Sequence, residues 1–222
     1  MITEELVKIM NIDSTSGKEV ELARYIADNC HVPGAILEIQ DVGDGSINLF
    51  YRWGKPEIIF CTHLDTVPPY IEPVTGNGRV SGRGACDAKG QIITALNVCR
   101  DLFNEGETNF GLLLVSGEET GSTGAKFANN LVKGCKYVII GEPTENKLIK
   151  AGKGIQLYDV QIRGVSCHSG YPQLGDDAIN RMRQFLNRLA AADFPSDPVL
   201  GLTTFNIGQL SSDNAYNVLP DL

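Results

Sequence analysis

Three apolar runs in this chain pass, within a few residues, into histidine, aspartate or glutamate. Ile58-Ile59-Phe60-Cys61 leads into Thr62-His63-Leu64-Asp65-Thr66-Val67-Pro68. Leu112-Leu113-Leu114-Val115 leads into Ser116-Gly117-Glu118-Glu119, and Tyr137-Val138-Ile139-Ile140 into Gly141-Glu142-Pro143. Short apolar runs bounded by turn signals read as strands buried on both faces. Such strands need helices above and below them, and helical patterns from about 88 to 103 and 122 to 133 fall between the runs. Strands alternating with helices imply an α/β fold with a mostly parallel sheet flanked by helices. In an open sheet of this kind ligands bind beyond the carboxyl ends of the strands. All three runs would therefore deliver their acids and imidazole to one edge.

Ser16-Gly17-Lys18-Glu19 has the form of a capping box, and Val20, Ala23, Ile26, Ala27 and Cys30 follow at helical spacing until Pro33-Gly34. Strands are expected over 36–40 and 47–51. Residues 67–84, broken by glycine and proline, read as one long functional loop. The pattern changes after Lys150-Ala151-Gly152-Lys153-Gly154. Tyr158, Val160 and Ile162 alternate with polar residues as in a strand with one wet face, and Ile179, Met182, Leu186 and Leu189 form a helical stripe within 176–192. A further strand is expected over 203–207. This divides the chain into a metal-binding domain, 1–152, and a smaller α+β domain, 153–222, with a glycine hinge between them.

A chain of 222 residues has ample material for a core, and its net charge of −8 argues against nucleic acid or an anionic membrane as partner. No apolar stretch approaches the ~20 residues of a membrane span. The acidic start, Met1-Ile2-Thr3-Glu4-Glu5, lacks the basic and apolar regions of a secretion signal, so a cytoplasmic location is expected. The six cysteines are scattered without a Cys-x-x-Cys pair, which favours free thiols over a disulfide framework or a zinc-thiolate site.

The acids carry the chemistry. His63 and Asp65 project the same way from an extended segment. Asp65 would fix the imidazole tautomer if the loop curls back; otherwise the pair is a surface histidine and a turn-forming aspartate. Asp87, in Gly82-Arg83-Gly84-Ala85-Cys86-Asp87-Ala88-Lys89-Gly90, stands at a helix start, where an N-cap or a metal ligand both suit it. Glu118 and Glu119 repel each other at a strand end unless a cation or proton intervenes. One of the two can bind metal while the other serves as a general base. Glu142 repeats the arrangement on the next strand.

Taken in order and spacing, these four motifs resemble those of the acetylornithine deacetylase / succinyl-diaminopimelate desuccinylase family, which also contains aminoacylases and carboxypeptidases. The look is closest to acetylornithine deacetylase. The resemblance implies a zinc-peptidase-like catalytic domain with a lid or dimerisation domain. It implies two zinc ions, with cobalt or manganese as substitutes: His63, Asp87 and Glu142 would hold one, and Asp87 would bridge to a second bound by Glu119. Glu118 would be the general base, and Asp65 would orient His63. Gly164-Val165-Ser166-Cys167-His168-Ser169-Gly170-Tyr171-Pro172 resembles the family's histidine motif, so His168 would stabilise an oxyanion, often in the active site of a homodimer partner. A nucleophilic triad around His168 is the alternative, but no partner acid or oxyanion motif accompanies it. Asn217-Val218-Leu219-Pro220 resembles the lid segment that touches substrate, which makes Asn217 a candidate contact.

The implied substrate is a small N-acyl amino acid, foremost N-acetylornithine or N-acetylcitrulline in arginine biosynthesis. A succinyl-diaminopimelate desuccinylase, or a dipeptidase or carboxypeptidase, would share every ligand. From another class, the chain would be an inactive metal-binding fragment or a dimerisation module. The family takes its last zinc ligand, a histidine, from a segment after the lid, whereas the only histidines here are His31, His63 and His168 and the sequence stops at Leu222. Both domains are therefore expected to be incomplete, and the chain to be a fragment.

Overall fold

In a computed structural model describing residues 2–222, the chain runs through α1 (Ile2–Met10), α2 (Val20–Asn29), β1 (Ile36–Gly43), β2 (Ser46–Trp53), β3 (Ile58–His63), β4 (Val74–Gly76), β5 (Arg79–Ser81), α3 (Lys89–Asn104), β6 (Phe110–Val115), α4 (Thr123–Ala128) and β7 (Tyr137–Ile140). After these come a 3₁₀ turn (Pro172–Leu174), α5 (Ala178–Ala190), β8 (Ser196–Asp197) and β9 (Gly201–Leu202). The backbone forms two compact units, one up to Lys147 and the other Leu148–Leu222.

The first unit is built on a five-stranded sheet in the order β1-β2-β6-β3-β7. Ladders on either side of β3 are parallel, while β1–β2 and β2–β6 are antiparallel, so the sheet is mixed and the parallel half contains the three apolar runs. All six residues of β6 are buried, as expected of an apolar run between two strands and two helical layers. Alternation decides which layer each residue meets. Leu112 and Leu114 join Leu49, Tyr51 and Trp53 under α1, α2 and α3, whose Ile9, Leu22, Ile26, Ile92, Ile93 and Leu96 are fully or almost fully buried. Leu113 and Val115 face the other way, with Phe50 and Ile59, onto Ala128 of α4.

Several expectations are corrected. α1 was not signalled by a cap or a breaker, yet Leu6, Ile9 and Met10 supply an inward stripe. The Ser16–Glu19 capping box does not form. Glu19 is itself the N-cap of α2, without a side-chain capping bond, and its carboxylate accepts from Gly17 N at 2.6 Å. The 67–84 loop contains the β4–β5 hairpin, closed by Asn77-Gly78 with both residues at positive φ, the backbone a tight two-residue hairpin requires. α4 stops at Ala128, where Asn129-Asn130 offer side chains that compete with helical backbone bonds, and turns replace the expected helix to 133.

In the second unit, α5 forms with Asp177 as its N-cap, accepting from Asn180 N at 2.8 Å. The strands expected at 158–162 and 203–207 do not form. Tyr158, Val160 and Ile162 have the alternation but no ladder partner, and an extended segment becomes a strand only by pairing. Among the described residues no helix is long and apolar enough to cross a membrane.

Candidate metal centre

Ladder register sets the geometry of the site. β3 pairs with β6 so that His63 faces Val115, and with β7 so that Cys61 faces Ile140. Backbone bonds carry both pairings past the strand ends: Leu64 N donates to Val115 O at 2.8 Å, and Gly141 N to Cys61 O at 2.7 Å. Glu118 and Glu119 follow β6, and Glu142 follows β7, so all three arrive beside His63. Asp87 comes from the loop before α3, at a cis Asp87–Ala88 peptide. It does not cap that helix. Ala88 is the N-cap, and Asp87 Oδ1 lies 2.9 Å from His63 Nε2.

Two groups of potential ligand atoms result, His63 with Glu118 and Glu119, and His63 with Asp87 and Glu142; within each, all atoms lie within 4.8 Å of one another. Glu142 Oε1 is 4.0 Å from His63 Nε2. Nδ1 of the same ring lies 2.9 Å from the backbone carbonyl of Asp65, to which it donates, leaving Nε2 to face the acids. The Asp65 carboxylate stands 3.5 Å from Nδ1 and acts on the ring by its charge. Its hydrogen bonds go elsewhere: Oδ1 accepts from Glu118 N at 2.9 Å, and Oδ2 from Glu119 N at 3.2 Å and from the Ser16 hydroxyl at 2.9 Å.

Burial alone would lower the His63 pKa. The nearby carboxylate of Asp65 and the hydrogen-bonded one of Asp87, with Glu142 behind them, outweigh it and hold the metal-free imidazole up at about 9. Burial raises the Glu119 carboxyl, and Asp87, Glu118 and Asp65 add to the rise against the pull of His63. Glu142 is raised for the same reasons, burial first and then its three acidic neighbours Asp87, Glu118 and Glu119. Mutually repelling carboxylates around one imidazole fit a divalent cation, since hard oxygen donors with a single imidazole suit zinc, manganese or cobalt.

The structure thus brings together His63, Asp65, Asp87, Glu118, Glu119 and Glu142. In the second unit it places His168 next to the segment of Asn217. His168 and Val218 form an antiparallel bridge, and Ser169 N donates to Asn217 O at 3.0 Å. Both side chains are exposed. Two residues near the acids were given other roles or none by the sequence. Ser16, read as a helix cap, contacts Asp65 across 49 positions of chain. Lys89, 1% exposed, donates to Ile12 O at 2.6 Å from just after Asp87.

The peptidase family M20/M25/M40 matches residues 59–215, the span that holds every one of these acids and both histidines. This chain belongs to the M20/M25/M40 peptidase family. A peptidase M20 domain-containing protein of Schizosaccharomyces pombe is 34% identical over 221 residues, covering 95% of this chain and 55% of that protein. A probable carboxypeptidase of Aspergillus clavatus is 32% identical over 240 residues, 96% of this chain and 58% of that one. The M20 chain therefore spans rather more than half the length of these relatives. Among solved structures, a Staphylococcus aureus tripeptidase shares the fold with a TM-score of 0.75 at 19% identity, over 99% of this chain and 63% of that one. The di-peptidase Dug1p of Saccharomyces cerevisiae does so at 0.60 and 17%, over 99% and 67%.

Proposed function

We propose that this M20 chain carries the metal centre of a hydrolase that cleaves the amide bond of a short peptide or N-acyl amino acid. The observation that supports it most is the convergence of Asp87 and Glu142 on the buried Nε2 of His63, with Glu118 and Glu119 brought to the same imidazole. His63, Asp87 and Glu142 would hold one zinc, and Asp87 and Glu119 would contribute to a second. When bound, the cations polarise the scissile carbonyl and acidify a water. Glu118 takes the proton of the attacking water and passes it to the departing amine. Asp65 holds that base in place through the Glu118 backbone N–H and keeps the His63 tautomer through its own carbonyl. His168 is the proposed donor to the oxyanion. Gly170 N donates to its Nδ1 at 3.0 Å, which favours the neutral tautomer carrying its proton on Nε2, the donor an oxyanion needs. Asn217 is the proposed substrate contact, and residues 153–222 the lid and homodimer element.

The names of the fungal relatives, which read probable carboxypeptidase, support one substrate reading over another. They favour a peptide with a free C-terminal carboxylate over the N-acetylornithine or N-acetylcitrulline suggested by the motif resemblance. A panel of dipeptides, N-acetylornithine, N-acetylcitrulline and succinyl-diaminopimelate on the full-length protein separates these readings. In that protein Glu118→Gln should lower turnover by about 10²–10⁴-fold while metal content by elemental analysis stays at the wild-type level. Near-normal turnover in the variant would remove Glu118 from the mechanism, and loss of bound metal would make it a ligand instead.

A further inference from the structure

The Asp65 carboxylate is fully buried, and a buried carboxylate needs donors for both its oxygens. Two of its donors, the backbone N–H groups of Glu118 and Glu119, belong to the loop that carries the acid pair. The third is the Ser16 hydroxyl, from the segment ahead of α2. That segment is stitched along the end of β3. Ser16 N donates to Thr66 O at 3.0 Å, Thr66 N to Ser14 O at 2.9 Å, and Thr15 and Thr66 form a parallel bridge. Slightly earlier in the chain, the Ile12 carbonyl accepts from the buried ammonium of Lys89, the first residue of α3 and two positions after Asp87. Residues 12–16 thus join the loops of Asp65, Asp87 and, through Asp65, Glu118 and Glu119.

We propose that Ser16 is a positioning residue for the metal centre, holding the Asp65 carboxylate so that the Glu118–Glu119 loop and the His63 ring keep the spacing a divalent cation requires. This rests on the metal-centre reading above. Without the hydroxyl, Oδ2 keeps only the 3.2 Å bond from Glu119 N, the longest of the three. The carboxylate then turns toward its remaining donors, and the acid loop moves with it. Partners that orient metal ligands directly, as Asp65 does here, are worth about 10–100-fold in metal affinity when lost, and Ser16, acting through Asp65, falls at the lower end of that range.

The test uses the full-length protein and Co²⁺ as probe, reading dissociation constant by competition, the visible spectrum of the bound ion, and thermal unfolding without metal. Ser16→Ala should weaken Co²⁺ binding about 10-fold and alter the spectrum. Ser16→Thr should keep both. Ile26→Val, which trims the fully buried core of α2, should lower the unfolding temperature and leave affinity and spectrum alone. If Ser16→Ala does not fold, Ser16→Thr and Ser16→Val, equal in volume and different by the hydroxyl, make the same comparison. Wild-type affinity and spectrum in the hydroxyl-free variant overturn the role of Ser16, as does an equal loss of affinity in Ile26→Val. A wild-type protein that binds no Co²⁺ overturns the metal-centre reading and this inference with it.

Discussion

A histidine held at about pKa 9 by neighbouring carboxylates is a histidine that a metal must first deprotonate. Below that pH the proton on Nε2 and the cation compete for the same lone pair, with the three acids attracting both. Apparent metal affinity rises with pH, by close to tenfold per unit below about 9, and levels off above it. Calorimetric titration of the full-length protein at pH 7 in buffers of different ionisation enthalpy should report release of about one proton per first metal bound. A pH-independent affinity between 6 and 8 would mean that His63 is neutral before the metal arrives, and hence that the acids around it are protonated or turned away. Single residues also show what a sequence can and cannot convey. His63, Asp87 and Glu142 each have an ordinary explanation alone, and stand out only as a set, with the Glu118-Glu119 pair, at successive strand and helix ends. Ser16 does not, because serine before a helix already has an ordinary explanation in capping, and its actual partner lies 49 positions away.

The elements that carry the site were readable for a related reason. β3, β6 and β7 are continuous apolar runs whose length marks them as strands, although only β6 is buried along its whole length and β7, at the sheet edge, is exposed at all four residues. α1 and the β4–β5 hairpin were passed over. The first has an amphipathic stripe without a cap, and the second hides an Asn77-Gly78 turn inside a stretch dominated by proline and glycine. Between hairpin and α3 lies the loop that delivers Asp87, and its shape depends on Gly84. At φ +82°, a Cβ on Gly84 would stand 2.9 Å from Cδ of the buried Lys89 and 3.2 Å from Cγ2 of Thr66. Lys89 has no slack to yield, since its ammonium is fastened to Ile12 O. Gly84→Ala should therefore cost about 1–3 kcal/mol in denaturant unfolding and weaken metal binding as well, because the strain falls on the loop that carries a ligand. A variant that loses stability but binds metal as before would show that the Asp87 loop relaxes independently of the hairpin side.

Across the molecule, every candidate ligand falls in the first unit and the oxyanion donor and substrate contact proposed here fall in the second. The two units also differ in how well sequence pattern foretold them. The first builds its own sheet, so alternation and apolar runs find partners within reach. In the second, Tyr158 and Val160 are 79% and 46% exposed, and the strand that they and Ile162 suggest has no neighbour to pair with. Because every candidate ligand lies in the first unit, metal removal is expected to act there. A cation at 100 times its dissociation constant stabilises the fold that binds it by about 2.7 kcal/mol, and only that fold. Hydrogen exchange on the full-length protein should show metal-dependent protection in β3, the Asp65–Thr66 backbone, the N-terminal half of α3 and the Ser116–Glu119 and Gly141–Glu142 backbones. Protection along α5 should be the same with chelator as with zinc. If α5 gained protection with the ion to the same extent, metal binding would have to reach the second unit directly, and a response confined to the first would be ruled out.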